Sequence, residues 1–87
     1  MVMHAAALYD AGEPCGVEAN ATKLLAADAA AEATEDAHIT FGGFGYAKEY
    51  HLERLVREAL LFRIVPVTPQ MLLSFIAEKA LGLPKSF

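Results

Sequence analysis

Three observations predict an all-α chain, an incomplete antiparallel helical bundle. Residues 17–41 contain neither glycine nor proline and are dense in alanine, the strongest helix former. Later apolar residues recur at three- and four-residue spacing, and no apolar/polar alternation runs long enough to suggest a half-buried strand. Glycines and prolines gather at the edges of these stretches, where they start or stop helices.

The elements follow in order. A short helix is expected over about 3–10, apolar from Met3 to Tyr9 and closed by the breakers Gly12 and Pro14. It starts with no capping residue and no polar leader, so the chain is expected to open inside an element, as the tail of something longer. A helix over about 17–41 follows, about 37 Å long at 1.5 Å per residue. On it, Leu24, Ala27, Ala31, Thr34, His38 and Phe41 form one stripe. Ala19, Ala26, Ala30, Ala33 and Ala37 form a small-residue ridge beside it, and Glu18, Asp28, Glu32, Glu35 and Asp36 line the wet side. Small residues let a neighbouring backbone approach closely, so this helix is expected to lie between at least two others.

Gly42-Gly43-Phe44-Gly45-Tyr46 stops the long helix and leads into an expected loop. A second helix over about 51–62 turns Leu52, Leu55, Val56 and Ala59 to one side, with Glu53–Arg57 and Arg54–Glu58 as ion pairs four apart on the other. Ile64 to Val67 is expected to be extended, because Pro66 disfavours helix at the residue before it. The last helix, about 68–81, has Thr68 as its cap and Pro69 in its first turn, and it ends at Gly82 and Pro84.

Composition narrows the function classes. The 87 residues carry a net charge of -4, against the basic face of a nucleic-acid binder. The charge is uneven: residues 1–40 hold seven acids and one base, residues 41–87 six bases and four acids. The single cysteine, Cys15, has no partner for a disulfide, and no cysteine–histidine spacing suits a metal. No apolar run reads as a membrane span and no leader pattern opens the chain, which favours a cytoplasmic compartment, with the mitochondrial matrix left open if an upstream segment exists. A chain this short buries only about 60% of its unfolded surface, so its stability is expected to depend on partner chains. His38 reads as a packed side chain, Cys15 as an incidental thiol, and Arg54 and Arg57 as an ion-paired solvated face; His4 and His51 have no spaced partners.

The order of local signals is more specific. Ala21–Ala31, then Gly42-Gly43-Phe44-Gly45-Tyr46, then Glu49-Tyr50-His51-Leu52-Glu53-Arg54-Leu55-Val56-Arg57-Glu58-Ala59, then Thr68 with Gln70, together resemble the acyl-CoA dehydrogenase family. The resemblance spans nearly the whole chain and covers the end of that family's C-terminal four-helix bundle, so 1–87 reads as a single partial domain. It implies FAD as cofactor and an acyl-CoA thioester as substrate of the complete enzyme, and the apolar helix faces left open by the absent helices lead to the expectation of a homo-oligomer formed through them. It also implies flavin contacts at Gly42, Gly43, Thr68 and Gln70. Two departures stand out. Where the family usually has a flavin-contacting glutamine three residues before the first of these glycines, this chain has Ile39. Where many members carry Glu-Gly-Thr, whose glutamate abstracts the substrate α-proton, this chain has Pro66-Val67-Thr68, and proline has no proton-accepting side chain. This chain alone is therefore expected to be inactive. The alternatives are a non-catalytic, stand-alone helical interaction module and a truncated remnant of the family.

Overall fold

A computed structural model describes residues 1–86. Among these, every regular element is helical: α1 (Val2–Asp10), α2 (Gly16–Phe41), α3 (Gly43–Tyr46), a 3-10 turn (Lys48–Tyr50), α4 (Leu52–Ile64) and α5 (Pro69–Leu81). The all-α expectation holds, and α1, α2 and α5 fall within a residue of their expected bounds. Two local expectations are corrected. The stretch after Gly42 is a one-turn helix and a 3-10 turn in place of a loop, and α4 continues through Arg63 and Ile64, so the extended backbone begins only at Val65 (φ -118°, ψ 151°). Proline restricts the residue directly before it and leaves the next one back free to stay helical.

The chain divides into two compact units, one of Met1–Leu25 with the stretch from Val67 onward, the other of Ala26–Pro66. The long helix α2 contributes residues 16–25 to the first and 26–41 to the second.

In the first unit α5 supplies the most buried side chain, Leu72, at 2% exposure. Its neighbour Phe75 packs at the start of α2, where a Cβ on Gly16 would sit 3.5 Å from the ring. The C-terminal residues Lys85 and Ser86 share an open groove with Met71 and Phe75 of α5. Gly82 closes α5 in the left-handed conformation (φ 68°), the usual glycine helix stop.

In the second unit α3, the 3-10 turn and α4 pack on one another. Arg63 Nε meets Asp28 Oδ1 at 3.1 Å, joining α4 to α2. The two pairs expected along α4 are present, Arg54–Glu58 at 2.9 Å and Arg57–Glu53 at 3.5 Å. Exposed pairs of this kind contribute about 0.2–1 kcal/mol each.

The stripes of α2 separate by burial in the middle of the helix, but not at its ends, where Phe41 of the apolar stripe is exposed and Glu18 of the wet side is half-buried. Ala27 is buried, Leu24, Ala31, Thr34 and His38 are half-buried, and Asp28, Glu32, Glu35 and Asp36 are exposed. The alanine ridge departs from expectation: Ala19, Ala26 and Ala33 stay exposed, so this chain leaves that side of α2 open. Among the described residues Ala27, Ala59 and Leu72 are the only buried hydrophobics, while Leu25, Ile39, Phe62 and Leu73 are each more than half exposed. So small a core leaves most of the apolar side-chain surface of the described residues exposed.

One stretch bears on the expectation about membranes. Between Leu52 and Leu81 a window reaches a mean hydropathy of 1.6, enough by length and composition for a span. The chain there forms two 13-residue helices parted by residues 65–68, each about 20 Å long against the roughly 30 Å of a hydrocarbon core.

Candidate functional site

The glycine turn is built by the end of α2. Gly42 N–H donates to the Ile39 carbonyl at 2.9 Å, and Gly45 N–H donates back to the Gly42 carbonyl at 3.0 Å. Between these bonds the chain reverses through Gly42 at φ 61°, ψ -137°. That is the mirror image of extended backbone, a region glycine reaches freely and other residues occupy only with strain. A Cβ on Gly42 or on Gly43 would find nothing within 4 Å. The turn therefore presents bare backbone to the outside, which a ligand can approach more closely than any side chain would permit.

Gly45 serves a different purpose, which the sequence reading did not separate from its neighbours. It is buried, and a Cβ there would lie 2.6 Å from the His38 carbonyl oxygen and 2.8 Å from the His38 ring. The third glycine thus lets α3 close onto the last turn of α2. His38 is a packed residue, as expected, with its ring centroid 6.1 Å from that of Tyr46.

Thr68 and Gln70 lie in the first unit, at the start of α5. Thr68 occupies the N-cap position with extended backbone (φ -71°, ψ 157°), and Pro69 follows in the first turn. The expected side-chain cap is absent: the Thr68 hydroxyl makes no capping hydrogen bond. The first N–H bonded within this end is that of Leu72, to the Thr68 carbonyl at 3.1 Å. The N–H groups of Gln70 and Met71 precede it, at the positively polarised end of the helix. Thr68 is half-buried and Gln70 exposed.

The four expected contact residues thus fall into two pairs, Gly42 with Gly43 in one unit and Thr68 with Gln70 in the other. Pro66, where the resemblance implies a glutamate, is exposed within the extended stretch that leads into α5. Among the described residues no three of His, Cys, Asp and Glu come together as a metal site. Arg63–Asp28, the ion pair joining two helices, had no sequence signal, because its partners lie 35 positions apart.

Comparison with known proteins gives the family. The model of "Acyl-CoA dehydrogenase, C-terminal domain" matches residues 1–81. Acyl-CoA dehydrogenase FadE12 of Mycobacterium tuberculosis is 40% identical over 89 aligned positions, covering 100% of this chain and 23% of the relative. An acyl-CoA dehydrogenase of Bacillus subtilis is 42% identical over 82 positions, 94% of this chain and 22% of its own length. Cyclohexane-1-carbonyl-CoA dehydrogenase of Geobacter metallireducens is 41% identical over 81 positions, 93% of this chain and 21% of its own length. No solved structure matches. The chain belongs to the acyl-CoA dehydrogenase family, in the C-terminal helical domain, and spans between a fifth and a quarter of the length of these relatives.

Proposed function

We propose that this chain is the flavin-contacting end of an FAD-dependent acyl-CoA dehydrogenase-like oxidoreductase, working in a homo-oligomer that covers its apolar helix faces. The observation that carries the reading is Gly42, held at φ 61°, ψ -137° with no neighbour for a side chain, at the glycine pair from which the family approaches its cofactor.

Both pairs of residues suit FAD on physical grounds. Gly42 and Gly43 admit a flat or charged group against bare backbone. The start of α5 offers the Gln70 and Met71 N–H groups, the uncapped Thr68 hydroxyl and the Gln70 amide, a donor set suited to phosphate or ring oxygens. When bound, the flavin supplies the hydride acceptor for α,β-dehydrogenation of an acyl thioester. This chain holds and orients that group; it provides no base at Pro66, so proton abstraction falls to a residue elsewhere in the assembly.

The test is to isolate the native polypeptide that carries this sequence and to measure its mass and bound flavin. The expected result is a mass several-fold above 9.4 kDa, with flavin absorbance that bleaches when acyl-CoA is added. A flavin-free polypeptide of 9.4 kDa would contradict the proposal and favour a stand-alone interaction module, a reading supported by Pro66 and the uncovered alanine ridge.

A further inference from the structure

The Arg63–Asp28 contact differs in kind from the other ion pairs. Arg54–Glu58 and Arg57–Glu53 lie along α4 and Lys79–Glu78 along α5. The Arg63 guanidinium instead reaches from the last turn of α4 to Asp28 in the middle of α2, Nε to Oδ1 at 3.1 Å. A cation in that turn is favoured by the negative end of the helix, and the planar guanidinium gives the contact a fixed direction.

The pair sits where it decides a position. α4 packs on α3 and the 3-10 turn, the elements directly before it in the chain. At its other end Leu61 and Ile64 are each more than half exposed, so apolar burial within the chain does not fix that end, and the ion pair ties it to α2. A rod held at one end is placed by the latch at the other: over the roughly 16 Å from Leu52 to Arg63, a tilt of about 5° moves the far end by about 1.4 Å.

That displacement passes down the chain. Val65 N–H donates to the Leu61 carbonyl at 2.9 Å, so Val65 moves with the last turn of α4. Beyond it the backbone is stiff. Pro66 and Pro69 have fixed φ and hold the residue before each of them extended, as Val65 (φ -118°, ψ 151°) and Thr68 (φ -71°, ψ 157°) are. The run ends at Thr68 and Gln70, the helix start that the flavin reading assigns to the cofactor.

Resting on the flavin reading, we propose that Arg63 and Asp28 are positioning residues for the cofactor, their ion pair setting where the proline-stiffened run delivers Thr68 and Gln70 to the flavin.

The experiment uses the native assembly carrying this chain and compares wild type with Arg63→Met, Asp28→Asn, the double variant and Arg63→Lys. Flavin affinity is read by fluorescence titration after flavin removal, and amide exchange is read in the flavin-bound state. Each of Arg63→Met and Asp28→Asn is expected to weaken flavin binding about three- to fivefold, the double variant no further, and Arg63→Lys, which keeps the charge, less than about twofold. Exchange should quicken at Gln70 and Met71 and stay unchanged at Gly42 and Gly43. Should Arg63→Met fail to assemble, Asp28→Asn makes the same test. Exchange quickened equally at both places would show a general loosening and overturn the inference. Unchanged affinity in the single variants, additive losses in the double variant, or Arg63→Lys losing as much as Arg63→Met would overturn it too, leaving the flavin reading standing. A wild-type assembly that holds no flavin would remove both.

Discussion

Replacing Gly45 with alanine adds a single methyl group at the most crowded glycine of the second unit. The added Cβ would lie 2.6 Å from the His38 carbonyl oxygen, 2.8 Å from the His38 ring and 3.1 Å from the Phe41 Cβ. The ring can swing aside, but the carbonyl belongs to the last turn of α2 and moves only if that turn moves. Two effects compete. Alanine in place of a helical glycine gains up to about 1 kcal/mol in helix propensity, while overpacking a tight contact costs about 1–3 kcal/mol. Because the clash is with backbone, the upper part of that range applies, and a net loss of about 1–2 kcal/mol is expected. In a small protein with a urea dependence near 1 kcal/mol per molar, the midpoint should fall by about 1–2 M. The assay is urea unfolding followed by far-ultraviolet circular dichroism at one fixed chain concentration, since association would otherwise shift the midpoint. Gly43→Ala is the internal control, because its Cβ would meet nothing within 4 Å. Gly45→Ala matching or exceeding the stability of Gly43→Ala would refute the close-approach reasoning.

Three other outcomes are expected. Gly42→Ala forces an alanine into a mirror-extended conformation at φ 61° and should cost about 1–3 kcal/mol in the same urea assay; a change below a few tenths would show that the turn does not hold that geometry in solution. Ile39→Gln restores the side-chain amide usual in the family at a position that is 69% exposed. It should leave stability nearly unchanged and tighten flavin binding several-fold, the effect of one net hydrogen bond of about 1 kcal/mol, as read by flavin fluorescence titration; unchanged affinity would argue against a cofactor contact there. The isolated chain should sediment above its monomer mass of 9.4 kDa, because its large apolar side chains far outnumber the sites that bury them; a stable monomer that unfolds cooperatively would contradict this.

The sequence was most legible where one physical signal acted over many residues. The alanine-rich run of α2, free of glycine and proline, gave a helix within one residue of its observed start, and four-residue spacing gave both ion pairs on α4. The turn after Gly42 was less legible because three glycines in four positions read as helix breakers. Gly42 is one, at positive φ, whereas Gly45 lies inside α3 and is there for lack of bulk against His38. A four-residue helix carries no periodicity, so only tertiary packing reveals it. The Thr68 cap failed for another reason: residue type and position were right, but the hydroxyl makes no bond back to the helix. A side chain left free at a helix start is consistent with the ligand role the family resemblance implies for it. The aromatic edge contacts at Phe44 and Tyr50 were invisible because they depend on how α3 and the 3-10 turn fold together.

The most direct test of the proposed flavin contact is amide hydrogen exchange on the native assembly carrying this chain, with flavin bound and with flavin removed. Bound flavin should slow exchange at Gly42 and Gly43 and at Gln70 and Met71, with the middle of α2 unchanged. Identical exchange at both places in the two states would contradict the claim that this chain holds the cofactor.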